Sequence, residues 1–138
     1  MSNTIDKPAE KRVFVIYGGH NGLQPIFYSY SKTIKNCLPA DEQRALSAAA
    51  STWGDEIYFA IPVKTGLENA VSVVREGDLA YWPEGSCFCI FFGKTPASTD
   101  TEIKPASPVN LVGRFSGAPE LWKKVASGDT IRLEAVRD

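Results

Sequence analysis

Histidine occurs once in this 138-residue chain, at His20, and cysteine three times, at Cys37, Cys87 and Cys89. That scarcity removes much metal and nucleophile chemistry at the outset. A zinc site draws on several Cys and His ligands at Cys-x-x-Cys or similar spacing, whereas Cys87 and Cys89 are separated by one residue. A histidine-based dyad or triad has only His20 to rest on. Charge of one sign is lacking too: 15 basic residues face 16 acidic ones, a formal charge of −1. Nucleic-acid binding calls for surplus Lys and Arg to displace counterions, so no nucleic-acid partner is expected. No apolar run approaches the roughly 20 residues that span a bilayer, so no membrane partner is expected either. The polar N-terminal stretch has no apolar signal core and reads as a tail over 1–11. An odd cysteine count without such a signal suggests free thiols in a reducing compartment, and a cytoplasmic location. Gly93-Lys94-Thr95 fails as a phosphate loop: Phe88 stands where its first glycine belongs, and Pro96 falls where a helix would be under way. No metal or other cofactor is expected.

What the chain does have is a hydrophobic share of 43%, enough for one globular domain over 12–138. Its apolar residues gather in short β-branched and aromatic runs. Val13-Phe14-Val15-Ile16-Tyr17 and Ile26-Phe27-Tyr28-Ser29-Tyr30 flank a glycine-rich turn and predict a hairpin. The glycines at 18, 19 and 22 could also form an anion nest. Further strands are expected over 56–63, 79–82, 88–92, 109–115 and 131–136, separated by turn residues. Helices are expected after Ser31, with Ile34, Cys37 and Leu38 on one face; over 42–50, where Ala45, Leu46 and Ala49 recur at helical spacing; and after Pro119, with Leu121, Trp122 and Val125 inward. Many short strands with two or three brief helices predict a mainly β domain, a closed or nearly closed barrel with helices over its ends.

The chemistry concentrates around Trp53-Gly54-Asp55-Glu56-Ile57-Tyr58-Phe59. Alternation that turns Ile57, Phe59 and Ile61 inward turns Glu56, Tyr58 and Ala60 outward. A carboxylate and a phenol then share one sheet face, where they could hold a ligand or act as acid and base. Trp53 and Trp82 could wall such a groove, or be buried bulk. Asn110 lies within an apolar strand and needs partners, from the backbone or from a ligand. Cys87 and Cys89 share one face of their strand as small buried residues.

Four stretches together resemble a known family: 51–59; Gly77-Asp78-Leu79-Ala80-Tyr81-Trp82-Pro83-Glu84-Gly85; Phe91-Phe92-Gly93-Lys94-Thr95-Pro96; and Pro105-Ala106-Ser107-Pro108-Val109-Asn110. They are similar to the small prokaryotic cyclophilin-like proteins of uncharacterised function. That resemblance implies a closed eight-stranded antiparallel barrel with two or three short capping helices and a groove on the barrel's outer face. True cyclophilins are prolyl isomerases with Phe-His-Arg on the corresponding strand, the arginine donating to the proline-side amide. Here Gly54, Asp55 and Glu56 occupy that region, and a carboxylate donates only when protonated. The expected activity is therefore binding of a small molecule or short peptide near Trp53, Glu56, Tyr58, Trp82, Phe92 and Asn110. The alternative is a prolyl isomerase with a rebuilt site, in which Lys94 or Arg114 supplies the donor. Small-metabolite catalysis by Glu56 and Tyr58, and homodimer formation through an exposed strand edge, are further readings.

Overall fold

A computed structural model describes residues 11–17, 22–28, 45–62, 64–115 and 119–136. Its strands are β1 (Lys11–Tyr17), β2 (Gly22–Tyr28), β3 (Ala45–Ala49), β4 (Ser51–Thr52), β5 (Glu56–Ala60), β6 (Asp78–Trp82), β7 (Cys87–Phe91), β8 (Asn110–Phe115) and β9 (Thr130–Val136). A 3₁₀ helix, Pro119–Lys124, connects β8 to β9. All nine strands belong to one sheet in the order β3-β9-β1-β2-β8-β6-β7-β5-β4, and every pairing is antiparallel. The expected hairpin near the N-terminus is present, with Tyr17 opposite Gly22. Of the tail expected over 1–11, Lys11 belongs to β1; residues 1–10, His20 and the segment holding Ser31, Ile34, Cys37 and Leu38 lie outside the described residues.

The expected closed eight-stranded barrel is corrected to a nine-stranded sheet without a closing ladder among the described residues. Its outermost strands, β3 and β4, follow one another in the chain and are separated by Ala50 alone. The two edges of the curled sheet therefore meet at one residue. There the chain leaves β9, where Ala49 faces Thr130, and joins β5, where Ser51 faces Tyr58. The Ala50 amide donates to the Asp129 carbonyl at 2.7 Å, and the Gly128 amide donates back to the Ala50 carbonyl at 2.8 Å.

The expected helix over 42–50 is likewise corrected, since 45–49 is β3. Alanine favours helix, but propensity is a weak prior and a nine-residue helix is marginal by itself. The pairing of Ala45 through Ala49 with β9 decides the conformation. Exposure alternates accordingly: Ser47 and Ala49 face solvent, while Ala48 and Ala50 turn inward. No α-helix caps the sheet among the described residues, and the helix expected after Pro119 is a 3₁₀ turn.

Two apolar clusters lie on opposite faces of the sheet. The inner one joins Ile57, Phe59, Leu79, Tyr81, Phe88, Ile90, Phe92, Val112 and Ile131 with Phe115, Trp122 and Val125. The outer one joins Val74, Ala80, Cys87, Cys89, Phe91 and Val109, with Tyr58, Val71, Trp82 and Ile103 against it. β7 is consequently buried at all five positions, which is why Cys87-Phe88-Cys89-Ile90-Phe91 reads as an unbroken apolar run rather than an alternating one. Irregular chain covers the outer face, held by two isolated bridges, Val71 to Val109 and Val74 to Ile103.

Trp122 is 1% exposed, stacks obliquely on Phe115 at 5.4 Å, and its Nε1 has no hydrogen-bond partner among the described residues. Trp122→Ala should cost ~3–5 kcal/mol in urea unfolding, the usual range for emptying such a site. Trp122→Phe should cost less than half as much, because it also removes a buried donor whose desolvation is worth about 1–3 kcal/mol. Equal losses in the two variants would contradict this account.

Candidate outer-face ligand site

The site begins with a two-residue turn. The Trp53 amide donates to the Glu56 carbonyl at 2.9 Å and the Glu56 amide to the Trp53 carbonyl at 3.2 Å. Gly54 and Asp55 form the tip, with Gly54 at φ +61°. Glycine in the first central position is the usual solution for so short a hairpin. Space imposes it as well: a Cβ on Gly54 would lie 2.8 Å from the Lys94 carbonyl oxygen. The tip is docked by two backbone bonds, Asp55 N–H to the Lys94 carbonyl at 2.8 Å and Phe92 N–H to the Asp55 carbonyl at 2.9 Å. Glu56 thereby enters β5 in a determined phase.

From that start Ile57 and Phe59 turn to the inner cluster, and Glu56 and Tyr58 to the outer face. Glu56 pairs with Phe91, and Tyr58 with Cys89. The outer face here is not bathed in solvent, and Glu56 is only 6% exposed. Together with Trp53, Tyr58 and Trp82 it lines a cavity of about 180 Å³, completed by Pro105, Ala106 and Val109 from the overlying loop. Trp82 is fixed from behind. Its indole Nε1–H donates to Ser107 Oγ at 2.6 Å, and Ser107 Oγ–H donates to Glu84 Oε1 at 2.7 Å. Its ring meets Tyr58 edge-on, at 6.3 Å and 81°.

Burial pushes the Glu56 carboxyl from its ordinary 4.5 up to about 7, opposed by a hydrogen bond from the Cys89 side chain. Burial also raises the Cys87 thiol, and the nearby Glu56 charge adds to that. At neutral pH the carboxyl therefore exists in both forms. It can accept from a ligand N–H, donate to a ligand oxygen or balance a positive charge.

Of the six residues singled out from the sequence, the structure gathers Trp53, Glu56, Tyr58 and Trp82. Phe92 is corrected to the inner cluster, 4% exposed, because the alternation that turns Phe91 outward turns its neighbour in. Asn110 is not in the cavity lining either. It is 1% exposed, accepts from the Glu68 amide at 2.7 Å and donates to the Gly66 carbonyl at 3.0 Å, tethering the chain after β5. The two candidate donors are engaged elsewhere. Lys94 Nζ donates to the Asp100 carbonyl at 3.1 Å, and Arg114 to Asp78 Oδ1 at 2.6 Å and the Glu76 carbonyl at 2.8 Å. Sequence reasoning did not single out the roles of Pro105, Ala106 and Val109, or of Ser107 and Cys89. The Pro-Ala-Ser-Pro-Val-Asn stretch was itself the signal, since so much proline beside a buried strand marks a chain laid over it.

Among the described residues, no group of three or more potential ligands comes together for a metal ion. No helix there is long and apolar enough to cross a membrane. The sequence profile of the family described as cyclophilin-like matches residues 23–134. The chain belongs to the cyclophilin-like family. A similar solved structure is the solution structure of a hypothetical protein from Archaeoglobus fulgidus, 31% identical, covering 95% of this chain and 98% of the other with a TM-score of 0.75. No curated protein matches. This cyclophilin-like domain thus carries its cavity on the outer sheet face, with a carboxyl in its wall.

Two predictions test the roles given to Glu56 and Asn110. Between pH 4.5 and about 7 the folded chain holds a proton on Glu56 that the unfolded chain has released. Its contribution to stability is therefore full below pH 4.5 and lost as pH rises through 7, by on the order of 3 kcal/mol. Stability of the wild type relative to Glu56→Gln should fall by that order between pH 4.5 and 8 in urea unfolding. A flat difference would refute the assignment. Asn110→Ala should cost ~1–3 kcal/mol, because it removes two part-buried hydrogen bonds worth about 0.5–1.5 kcal/mol each, and should speed hydrogen exchange at the Glu68 amide. Unchanged exchange there would contradict the tether.

Proposed function

We propose that this cyclophilin-like domain binds a small molecule, or one side chain of a short peptide, in the outer-face cavity. The observation that carries the reading is a buried carboxyl with a raised pKa opening into an aromatic-walled space of about 180 Å³. Concave, mostly apolar sites with a few placed polar groups are the usual form of ligand pockets. Glu56 supplies the polar group, Tyr58 and Trp82 a rigid corner, and the 105–109 chain the lid of the wall. Carboxyls whose titration is displaced by desolvation in a cleft gather at binding and catalytic sites, which supports this reading.

Binding is favoured over prolyl isomerisation because none of the described residues lining the cavity is basic. An isomerase of the cyclophilin kind presents a guanidinium to the proline amide, and removing a positioned donor typically costs ~10²–10³ in rate. Arg114 is held by Asp78 and Glu76, away from this cavity. NMR exchange spectroscopy on a panel of Xaa-Pro peptides should therefore show no acceleration over the uncatalysed tens of seconds. A fragment screen read by the indole resonances of Trp53 and Trp82 should give hits that Trp82→Ala weakens. Accelerated cis/trans exchange would replace the binding reading with isomerisation.

A further inference from the structure

We infer that the cavity is a cage for a small organic cation of the alkylated ammonium class, with the Glu56 carboxylate as its counter-charge. This rests on the binding reading above and narrows it to one ligand chemistry.

Three aromatic residues line the space, Trp53, Tyr58 and Trp82. The rings of Tyr58 and Trp82 stand at 81° to each other, so they form two walls of a box rather than a flat stacking slot. These two rings offer no pair of parallel faces between which a planar ligand could slot, while a compact, rounded ligand fits their corner. Pro105, Ala106 and Val109 close the rest with side chains that offer no hydrogen bond. A ligand rich in N–H or O–H groups would lose its water here and find few partners, at a cost of about 1–3 kcal/mol for each group left unmet. An ammonium whose hydrogens are replaced by methyl groups has few such bonds to lose. Its spread positive charge is attracted by aromatic faces, an interaction worth about 0.5–2 kcal/mol per ring.

The charge balance points the same way. Among the described lining residues Glu56 is the one acid, and none is a base. The ionisable groups on the packed elements are Tyr58 on β5, Cys87 and Cys89 on β7, and Asp55 in the turn, the last 3.9 Å from Lys123 Nζ. The neighbouring bases are engaged away from the cavity: Lys94 with the Asp100 carbonyl, Lys104 3.8 Å from Glu102, and Arg114 with Asp78. A buried carboxylate is costly unless paired, and among the described residues no basic side chain lines the cavity to pair with this one. A ligand cation would meet that need. Its arrival would also hold Glu56 ionised, so affinity should rise with pH through the range in which the empty site titrates.

The test compares choline with 3,3-dimethylbutan-1-ol, which has the same shape without the charge. Binding to the full chain is followed by the Trp53 and Trp82 indole resonances and by titration calorimetry. Choline should bind at least about tenfold more tightly than its neutral counterpart, a difference of roughly 1.4 kcal/mol. Glu56→Gln should erase that preference, and Trp122→Phe, on the other sheet face, should leave it unchanged. Equal binding of the two probes would overturn the cation cage while leaving a small-molecule site. Absence of binding by either would overturn it as well, and if the fragment screen also gave no hit at this cavity, the binding reading would fall with it. The comparison within the wild type needs no variant, so it decides the matter even if Glu56→Gln fails to fold.

Discussion

Bridges from Val71 to Val109 and from Val74 to Ile103 hold irregular chain against the outer face of β6, β7 and β5. Without that cover the sheet would have one dry face and one wet one, the common state of antiparallel sheets. With it, Cys87, Cys89 and Phe91 are buried on the side away from the main core. Glu56, in the same layer, is withdrawn from water by the same cover. The cavity, the displaced titration of Glu56 and the fixed stance of Trp82 all depend on this second layer.

Small polar residues secure the cover alongside the apolar contacts of Val71, Val74, Ile103 and Val109. Ser107 joins the loop to both Trp82 and Glu84, and Asn110 ties down the chain at Gly66 and Glu68. Thr95 and Ser98 organise the neighbouring bend: Thr95 Oγ1 donates to the Lys104 carbonyl, while Ser98 Oγ accepts from the Thr95 and Lys104 amides. These are buried or half-buried groups with satisfied bonds, which specify one loop conformation rather than an ensemble. A rigid wall on a rigid sheet is the condition under which a single carboxyl can be held at a set distance from aromatic rings.

The sheet's other constraint lies at its seam. A single stretch, 45–52, serves as both edge strands, and its neighbours there are β9 and β5. Because β4 contributes only two residues, the tight turn after it sets the phase of β5. One residue of slip would move Glu56 to the inner face and Ile57 to the outer. The glycine at 54, packed against the Lys94 carbonyl, guards against that slip.

Local pattern determined much of this protein. The β-branched and aromatic runs marked β1, β2 and β5 to β9, and period-two alternation placed Glu56 and Tyr58 on one face, because a strand's geometry leaves no other choice once Ile57 and Phe59 turn inward. The stretches 51–59, 77–85, 91–96 and 105–110, taken together, pointed to its family. Tertiary structure decided the rest. Residues 45–49 carry a helical preference that yields to pairing with β9, since backbone partners along a sheet edge outweigh a few tenths of a kcal/mol per alanine. Phe92 and Asn110 looked like groove residues, but they serve the core and a loop tether, a distinction that depends on which chain packs over each face. Most of all, the sequence could put a carboxyl on the outer face but could not say that this face is dry. Desolvation is a property of everything within reach of a group, and here that cover comes from residues some 50 positions further along the chain.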